Sequence, residues 1–371
     1  MKTCTPNTAT FPTSLDSIQQ RIDKIEPIAY GRSRNFIDGA VTYLSPYISR
    51  GVISTKQVLE AVLNKGYPPK HIEKFIQELV WRDYWQQVWK VKGDRIDTDL
   101  KRPQPDAVQL GIPAAIVDAK TGIKALDSAI TTFYETGYLH NHVRMYIASL
   151  CCNIAKCHWS QPAKWMYYHL LDGDWASNAL SWQWVAGANS NKKYYANQGN
   201  INTFCHSDQE GTYLDASYEE LPNLEIPQEL VEIIPFKSQT LLSNGTTITI
   251  DSSLPTLLYN FYNLDPNWKL KEKANRILLL EPSHFKRYPI SKKSMEFMLS
   301  LSKNIPGIQV FVGEQEHFIA MHAVGKPYFK EHPTNQHYKG IEEERDWMFP
   351  VEGYFPSFFA YWKRCKKVMK W

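Results

Sequence analysis

A chain of 371 residues, of which 43% are hydrophobic and 13% aromatic, supplies ample material for one large domain and a smaller unit. Its formal net charge of only +4 permits contact with nucleic acid without requiring it, so any DNA-binding face must be local. The sequence contains no apolar run of about 18 residues and no basic-then-apolar N-terminus. We therefore expect a cytoplasmic protein without a membrane span or a secretory signal.

The cysteines show neither a C-x-x-C pair nor the spacing of a zinc finger or a ferredoxin. They are Cys4, Cys151, Cys152, Cys157, Cys205 and Cys365. Reduced thiols and no metal site are the expectation, as is usual for a cytoplasmic protein.

The first two hundred residues have mostly helical patterns. Ser54 and Gln57 have the spacing of a capping box in front of apolar residues at helical intervals, and Gly66 supplies the stop. Pro69 suits a first helical turn. The apolar positions that follow it predict one long helix that reaches about Gly93.

The pattern becomes less regular after this helix. Residues 94–118 contain three prolines and predict an irregular connection. Helices resume near Gly122 and continue, with breaks, to about Trp184. Residues 187–212 are rich in Asn, Gly and Tyr and predict loops. Residues 213–268, with five prolines and short apolar runs, predict an extended arm.

A short α/β pattern begins near Arg276. The run RILLLEP predicts a buried strand, Ser291 to Leu301 a helix, and IQVFVGE a second strand, which together suggest a βαβ-like unit. The tail is aromatic and becomes basic at its end (YWKRCKKVMKW). The patterns thus predict a mainly α protein with a small C-terminal α/β unit. The predicted boundaries are residues 14–205 for the helical domain, 206–270 for the arm and 271–371 for the α/β unit.

Three polar or aromatic side chains share one face of the long predicted helix. Glu78, Trp81 and Arg82 are spaced i, i+3 and i+4. This spacing is typical of an amphipathic surface with a glutamate–arginine pair. A tryptophan between two charges can instead stack a base, while the glutamate accepts hydrogen bonds and the arginine binds phosphate or flavin. The spacing alone leaves both interpretations open.

A second helical face lies in the run GYLHNHVRM. Asn141, Arg144 and Met145 occur there at i, i+3 and i+4. The asparagine amide offers both a donor and an acceptor to a base edge. Arg144 can pair with an acid, for which Asp172 is the candidate.

A third face lies in the run DGDWASNALSWQWVAG. Asp174, Asn178 and Trp182 are spaced by four, so one side of a helix would carry all of them. A capped helix, with Asp172 or Asp174 as N-cap and the tryptophans in the core, explains one aspartate. It does not explain two aspartates, an asparagine and a tryptophan together.

A fourth motif is a small, hydroxyl-rich turn that contains Gly39, Thr42, Ser45 and Pro46 and leads into a helix. Such a turn can present backbone N–H groups to a phosphate. It has neither a G-x-G-x-x-G nor a P-loop pattern, and a simple turn between helices explains it equally well.

The motifs ELxWRD, GxxHNxxRM and DGDxAxNxxxWQW, in this order and with this spacing, resemble the FAD domain of the photolyase/cryptochrome family. The resemblance covers about residues 28–205. It implies a photolyase-type helical domain that binds FAD, UV-damaged DNA as the partner, and a monomer.

The resemblance also assigns roles to individual residues. FAD would be held by Tyr30, Thr42, Leu44, Ser45, Phe75, Arg82, Arg144, Asp172, Asp174 and Asn178. The DNA and its lesion would be bound by Arg34, Glu78, Trp81, Asn141, Met145 and Trp184. The catalytic set would be Glu78 for the dimer radical anion, Asn178 beside flavin N5, and Trp182 and Trp159 as the first two members of an electron-transfer chain.

The N-terminal α/β antenna domain of the family has no counterpart in the sequence before residue 28. Residues 276–314 instead resemble half of such a domain, which we interpret as a relocated or reduced remnant. This segment leaves little room for an antenna site. The resemblance therefore gives little support for a second chromophore such as a folate or a deazaflavin.

The implied activity is light-driven repair, in which an electron from excited, reduced FAD splits a cyclobutane pyrimidine dimer, so that the chain would be a carbon–carbon lyase. Family members that act on (6-4) photoproducts usually have histidine where this chain has Asn141 and Met145, which favours the dimer. The alternatives are (6-4) photoproduct repair and a cryptochrome-like blue-light receptor. Single-stranded and duplex DNA are both open as partners.

Overall fold

The structure is a computed structural model and describes residues 10–242 and 247–369. Its α-helices are α1 (Leu15–Asp23), α2 (Pro27–Ser33), α3 (Ser45–Ser49), α4 (Thr55–Leu63), α5 (Glu73–Lys92), α6 (Ala114–Val117), α7 (Lys124–Thr136), α8 (Asn141–Ser149), α9 (Ser160–His169), α10 (Trp175–Ala186), α11 (Gln198–Cys205), α12 (Pro282–Arg287), α13 (Lys292–Ser302), α14 (Gln315–His322) and α15 (Phe358–Val368). Its strands are β1 (Ile112–Pro113), β2 (Ile233–Ile234), β3 (Thr256–Tyr259), β4 (Asn275–Leu280), β5 (Ile308–Val312), β6 (Tyr328–Lys330) and β7 (Ile341–Glu343). A π-helical turn, Leu150–Ile154, continues α8.

The chain forms two compact units, and each is assembled from separate stretches of sequence. The first contains Glu26–Val41 and Lys92–Ser238, and the second contains Phe11–Ile25, Thr42–Val91 and the described residues from Gln239 onward. The units therefore divide the chain differently from the predicted boundaries at residues 206 and 271, which assumed contiguous segments. Within the described residues, no helix is both long and apolar enough to cross a membrane.

The predicted starts and stops around α4 and α5 are confirmed. Ser54 Oγ accepts a hydrogen bond from the Gln57 N–H, and the Gln57 side chain accepts one from the Ser54 N–H, which completes the capping box. Gly66 follows the end of α4 with a φ of +79°, a conformation that a glycine adopts without strain. Pro69 begins a short 3₁₀ turn, and α5 starts after it and continues for 20 residues.

Helix α11 occupies part of the segment 187–212, which the sequence predicted as loops. Its N-cap is Asn197, whose side-chain oxygen accepts a hydrogen bond from the Asn200 N–H at 2.9 Å. His206 ends the helix in the left-handed conformation. The prediction was wrong because Asn and Gly lower helix propensity, while capping at both ends compensates for the composition.

The second unit contains a five-stranded parallel sheet in the order β5-β4-β3-β6-β7. The predicted βαβ unit is confirmed, since β4 and β5 are adjacent and parallel and α13 lies between them in sequence. The central strand β3 lies in the segment that the sequence predicted as an extended arm. Its four residues are all buried, so the strand shows no alternation of apolar and polar residues by which it could be recognised.

One face of the sheet carries an apolar core cluster. It is formed by Ile248, Leu258, Ile277, Leu279, Phe311, Phe318 and Phe329. The helix-rich fold with a small α/β sheet near the C-terminus agrees with the fold class that the sequence predicted.

Candidate functional site

The predicted site residues are distributed over both units, and each set is described within its own unit. In the first unit, Arg144 lies near the start of α8. Its Nη2 donates to both carboxylate oxygens of Asp172 at 2.9 Å, and its Nε donates to the Leu139 carbonyl oxygen at 2.8 Å. The Asp172 side chain is only 4% exposed and that of Arg144 21%. The predicted pairing of Arg144 with Asp172 is confirmed, and it fixes the guanidinium plane at two points.

Asp174 has a different structural role from Asp172, which pairs with Arg144. It is the N-cap of α10, where its carboxylate accepts a hydrogen bond from the Ser177 N–H at 2.7 Å. The capped-helix interpretation is therefore correct for Asp174. It does not apply to Asp172, whose carboxylate binds a guanidinium.

Asn178 lies one turn into α10 and is nearly buried, with 8% exposure. Its Nδ2 donates to the Ala163 carbonyl oxygen of α9 at 2.8 Å, which fixes the orientation of the amide. Within residues 10–242 and 247–369, no donor reaches its Oδ1. The amide can therefore accept one further hydrogen bond from a ligand at a defined position.

The two tryptophans of the predicted electron-transfer chain are buried. Trp159 is fully buried, and its indole Nε1 donates to Asp99 Oδ1 at 2.7 Å. The same carboxylate oxygen lies 3.1 Å from His158 Nε2. Trp182 on α10 is 2% exposed. Their burial holds both rings in fixed positions, as a relay requires, and the relay itself stays a prediction.

The residues predicted to face a lesion are more accessible. Trp184, on α10, is 39% exposed, and Asn141 at the start of α8 is also exposed. Met145 and Arg34 are half-buried, as is Tyr30, which the resemblance assigned to FAD. Helix α10 thus has one exposed indole, that of Trp184, and a buried one two residues earlier, that of Trp182. The exposed indole is accessible to a ligand from solvent.

In the second unit, the hydroxyl-rich turn leads into α3, as predicted. The Thr42 hydroxyl accepts a hydrogen bond from the N–H of Leu44, which is buried. Arg82 on α5 donates from Nη1 and Nη2 to Ser49 Oγ at 3.1 Å, and from Nη2 to the Ser45 carbonyl oxygen at 3.2 Å. The guanidinium therefore ties α5 to α3. Phe75 is buried in α5.

Glu78 and Trp81 differ in their surroundings. The Glu78 carboxylate is 28% exposed and lies 3.3 Å from Lys74 Nζ, one turn earlier on α5. Trp81 is covered on one face by Phe358 of α15, with ring centroids 3.8 Å apart and planes 7° apart. Trp85 also contacts it, at 5.1 Å between centroids. The stacked Phe358 was not identified from the sequence, although the tail was noted as aromatic.

Asp83 is a second residue that the sequence reasoning missed, although it is the last letter of the motif ELVWRD. Its carboxylate accepts hydrogen bonds from the Thr55 hydroxyl at 2.8 Å and from the Met348 N–H at 3.0 Å. Burial raises the pKa of Asp83 from 3.8 to about 6, against the opposing effect of these two hydrogen bonds. The buried carboxylate of Asp83 thus links α5 to Thr55 and to Met348, which belong to two other segments of the second unit.

Replacing Asp83 with Asn should alter the pH dependence of stability. The folded protein retains the Asp83 proton between about pH 4 and 6, where the unfolded chain has released it. This stabilisation is complete below the unfolded pKa and is lost as pH rises through the folded pKa, an effect of about 3 kcal/mol. The wild-type free energy of unfolding, measured with urea and compared with that of D83N, should therefore fall over this range. A difference that is constant with pH would show that Asp83 is not the titrating group.

The comparisons with known proteins match the part of the chain that contains most of these residues. The family model for the FAD binding domain of DNA photolyase matches residues 75–257. A deoxyribodipyrimidine photo-lyase of Streptomyces griseus is 30% identical over 158 residues, which cover 42% of this chain and 34% of the relative. One of Agrobacterium fabrum is 28% identical over 184 residues, which cover 45% of this chain and 37% of the relative. The matches span about a third of the length of these relatives.

A solved structure is also similar. The cryptochrome of Synechocystis sp. PCC6803 matches with a TM-score of 0.48 and 22% identity, over 61% of this chain and 49% of that chain. The residues that the family model matches include α8, α10 and all but the first two residues of α5, and these helices carry the predicted motifs. Residues 75–257 of the chain are therefore similar to the FAD binding domain of the photolyase/cryptochrome family.

Proposed function

We propose that this chain repairs cyclobutane pyrimidine dimers in UV-damaged DNA by light-driven electron transfer, with FAD as its cofactor and as a carbon–carbon lyase. The proposal rests mainly on the Arg144–Asp172 pair. The Asp172 carboxylate is buried, and both of its oxygens accept a hydrogen bond from the Arg144 guanidinium. It lies in the region that matches the FAD binding domain of DNA photolyase. Burying an ion pair costs desolvation free energy. The presence of this pair in the matched region therefore supports a role in binding a ligand.

The residues of the first unit fit a flavin. Flavin rings offer both N–H and carbonyl groups at one edge, and they need donors and acceptors of fixed orientation. Arg144 supplies a guanidinium held at two points, and Asn178 supplies an amide whose Oδ1 is open to a donor. FAD, when bound, supplies the light absorption and the electron.

The remaining residues bind and select the substrate. Asn141 and Met145 replace the histidines that are usual for (6-4) photoproducts, so their side chains favour the less polar cyclobutane dimer. A dimer is weakly stacked in DNA and is therefore moved out of the helix at a lower cost than a normal base. Exposed indole surface of Trp184 offers it an apolar contact. Glu78 accepts hydrogen bonds from the dimer.

A single assay tests this proposal. The reduced, FAD-loaded protein is incubated with a thymine-dimer oligonucleotide under blue light, and the recovery of thymine absorbance is followed. Recovery that requires both light and flavin is the expected result.

A second candidate function is that of a cryptochrome-like receptor. One observation favours it, namely that Phe358 covers one face of Trp81. Bound FAD without any recovery would support the receptor.

A further inference from the structure

The last helix, α15, carries a concentrated positive charge. Between Gly353 and Met369 the sequence has four cations and no acid. The cations are Lys363, Arg364, Lys366 and Lys367, and all are exposed. The formal net charge of the complete chain is also +4, so this one segment has as much net positive charge as the whole sequence. A local basic face of this kind is what a weakly charged protein needs to bind nucleic acid.

The opposite face of α15 is apolar and already used in packing. Phe358, Tyr361, Trp362 and Cys365 follow the i, i+3, i+4, i+7 spacing and are at most 3% exposed. The helix begins at a capped end, where Ser357 Oγ accepts a hydrogen bond from the Ala360 N–H. The helix is therefore firmly attached through one side and presents its cations on the other.

Side-chain contacts attach α15 to α5. Near the start of α15, Phe358 stacks on Trp81, and Tyr361 packs on Tyr84 with centroids 5.7 Å apart. Near its end, Lys366 Nζ lies 3.5 Å from a Glu73 carboxylate oxygen. The basic face therefore belongs to the helix that covers Trp81, and one of its cations reaches the first residue of α5.

We propose that α15 is a DNA-binding element, whose cations contact the phosphate backbone of the strand that carries the lesion. This inference rests on the proposed function and names the surface that holds the substrate strand. Phe358 positions this surface by its stack on Trp81. A neutral or basic protein partner would not match four cations without an acid, whereas a nucleic-acid strand offers one negative charge per nucleotide.

The exposed residues of α15 favour nucleic acid over a lipid surface. Phe359 is 70% exposed and lies among the cations, which is the combination that stacks a base while the cations neutralise phosphates. A helix that binds a membrane surface inserts a broad apolar face. The apolar face of α15 is buried against the protein. Among the large apolar residues of this helix, only Phe359 and Val368 are exposed.

The test removes three cations that form no ion pair within the described residues. Lys363→Gln, Arg364→Gln and Lys367→Gln are combined in the full chain, which is loaded with FAD. Binding of a single-stranded thymine-dimer oligonucleotide is measured in the dark by fluorescence anisotropy at several salt concentrations. We expect affinity near 0.1 M salt to fall about tenfold or more, and the slope of log K against log salt to decrease by about 2.

A matched control carries the same loss of charge on other elements of the second unit. Lys271→Gln, Lys273→Gln and Lys303→Gln remove three exposed lysines without touching α15, and we expect at most a twofold loss of affinity. Phe359→Ala keeps all charges and should weaken binding about threefold or more, because the stacking of one base is lost. Equal losses in both triple variants would overturn the proposal, since the effect would then follow net charge alone.

Two further outcomes separate the alternatives. If the α15 variant binds the oligonucleotide as tightly as wild type, with an unchanged salt slope, the inference is wrong even when wild type repairs the dimer. If wild type binds through α15 but illumination yields no thymine, the proposed function fails and the DNA-binding surface stands. Wild type that binds no DNA but binds vesicles containing phosphatidylserine, with the same loss in the variant, would overturn the inference in favour of a lipid surface.

Discussion

Asp172→Asn is expected to abolish FAD retention and to lower the free energy of unfolding by about 2–3 kcal/mol. The substitution keeps the shape of the side chain but leaves the Arg144 guanidinium without the carboxylate that holds it at two oxygens. Breaking a buried pair costs about 3–5 kcal/mol, and the lower figure allows for the 21% exposure of Arg144. Flavin content after gel filtration and urea denaturation of the apoprotein give the two measurements.

The neighbouring aspartate provides the control for stability. Asp174→Asn should change the free energy of unfolding by less than about 0.5 kcal/mol, because asparagine caps a helix as well as aspartate does. If D172N and D174N lose the same stability, the special role given to the Arg144–Asp172 pair is wrong. If D172N is destabilised but retains a full complement of FAD, the pair is structural only.

Glu78→Ala is expected to reduce dimer repair per absorbed photon by about tenfold while the flavin content stays unchanged. A hydrogen bond to a charged group contributes about 1.5–3 kcal/mol, which matters most when the dimer carries an extra electron. The 28% exposure of the Glu78 side chain leaves it within reach of a ligand. Repair is measured as thymine recovered under single-wavelength light of known intensity.

Lys74 supplies the matched control for this substitution. The surface pair between Lys74 and Glu78 is worth at most about 1 kcal/mol, so Lys74→Gln should leave repair within about twofold of wild type. Glu78→Gln keeps an acceptor oxygen and should recover part of the activity lost in E78A. If K74Q matches E78A, the ion pair accounts for the effect and Glu78 does not contact the dimer.

Local signals in the sequence predicted the helical elements well. The capping box of Ser54 and Gln57, the length of α5 and the α10 cap at Asp174 all depend on residues a few positions apart. The Arg144–Asp172 pair was also predicted, with Asp172 as the candidate acid and with the family resemblance in support. Strands β4 and β5 were found as short, mostly apolar runs.

Features that depend on distant residues were not predictable. Strand β3 is buried throughout and only four residues long, so its sequence resembles an irregular run until its neighbours β4 and β6 are known. The stack of Phe358 on Trp81 joins residues from opposite ends of the chain, and no periodicity records such a contact. The raised pKa of Asp83 has the same origin, because its burial requires Thr55 and Met348 from other segments.

We infer that the polar face built from α8 and α10 holds FAD. Titration of the purified chain with FAD is the most direct test of this binding. Flavin fluorescence and visible absorption report binding without any assay of repair. Wild type is expected to saturate at one FAD per chain, and D172N to bind FAD with a dissociation constant at least tenfold larger. A wild type that stays colourless at saturating FAD, or a D172N variant that binds FAD as tightly as wild type, would show that this face does not hold FAD.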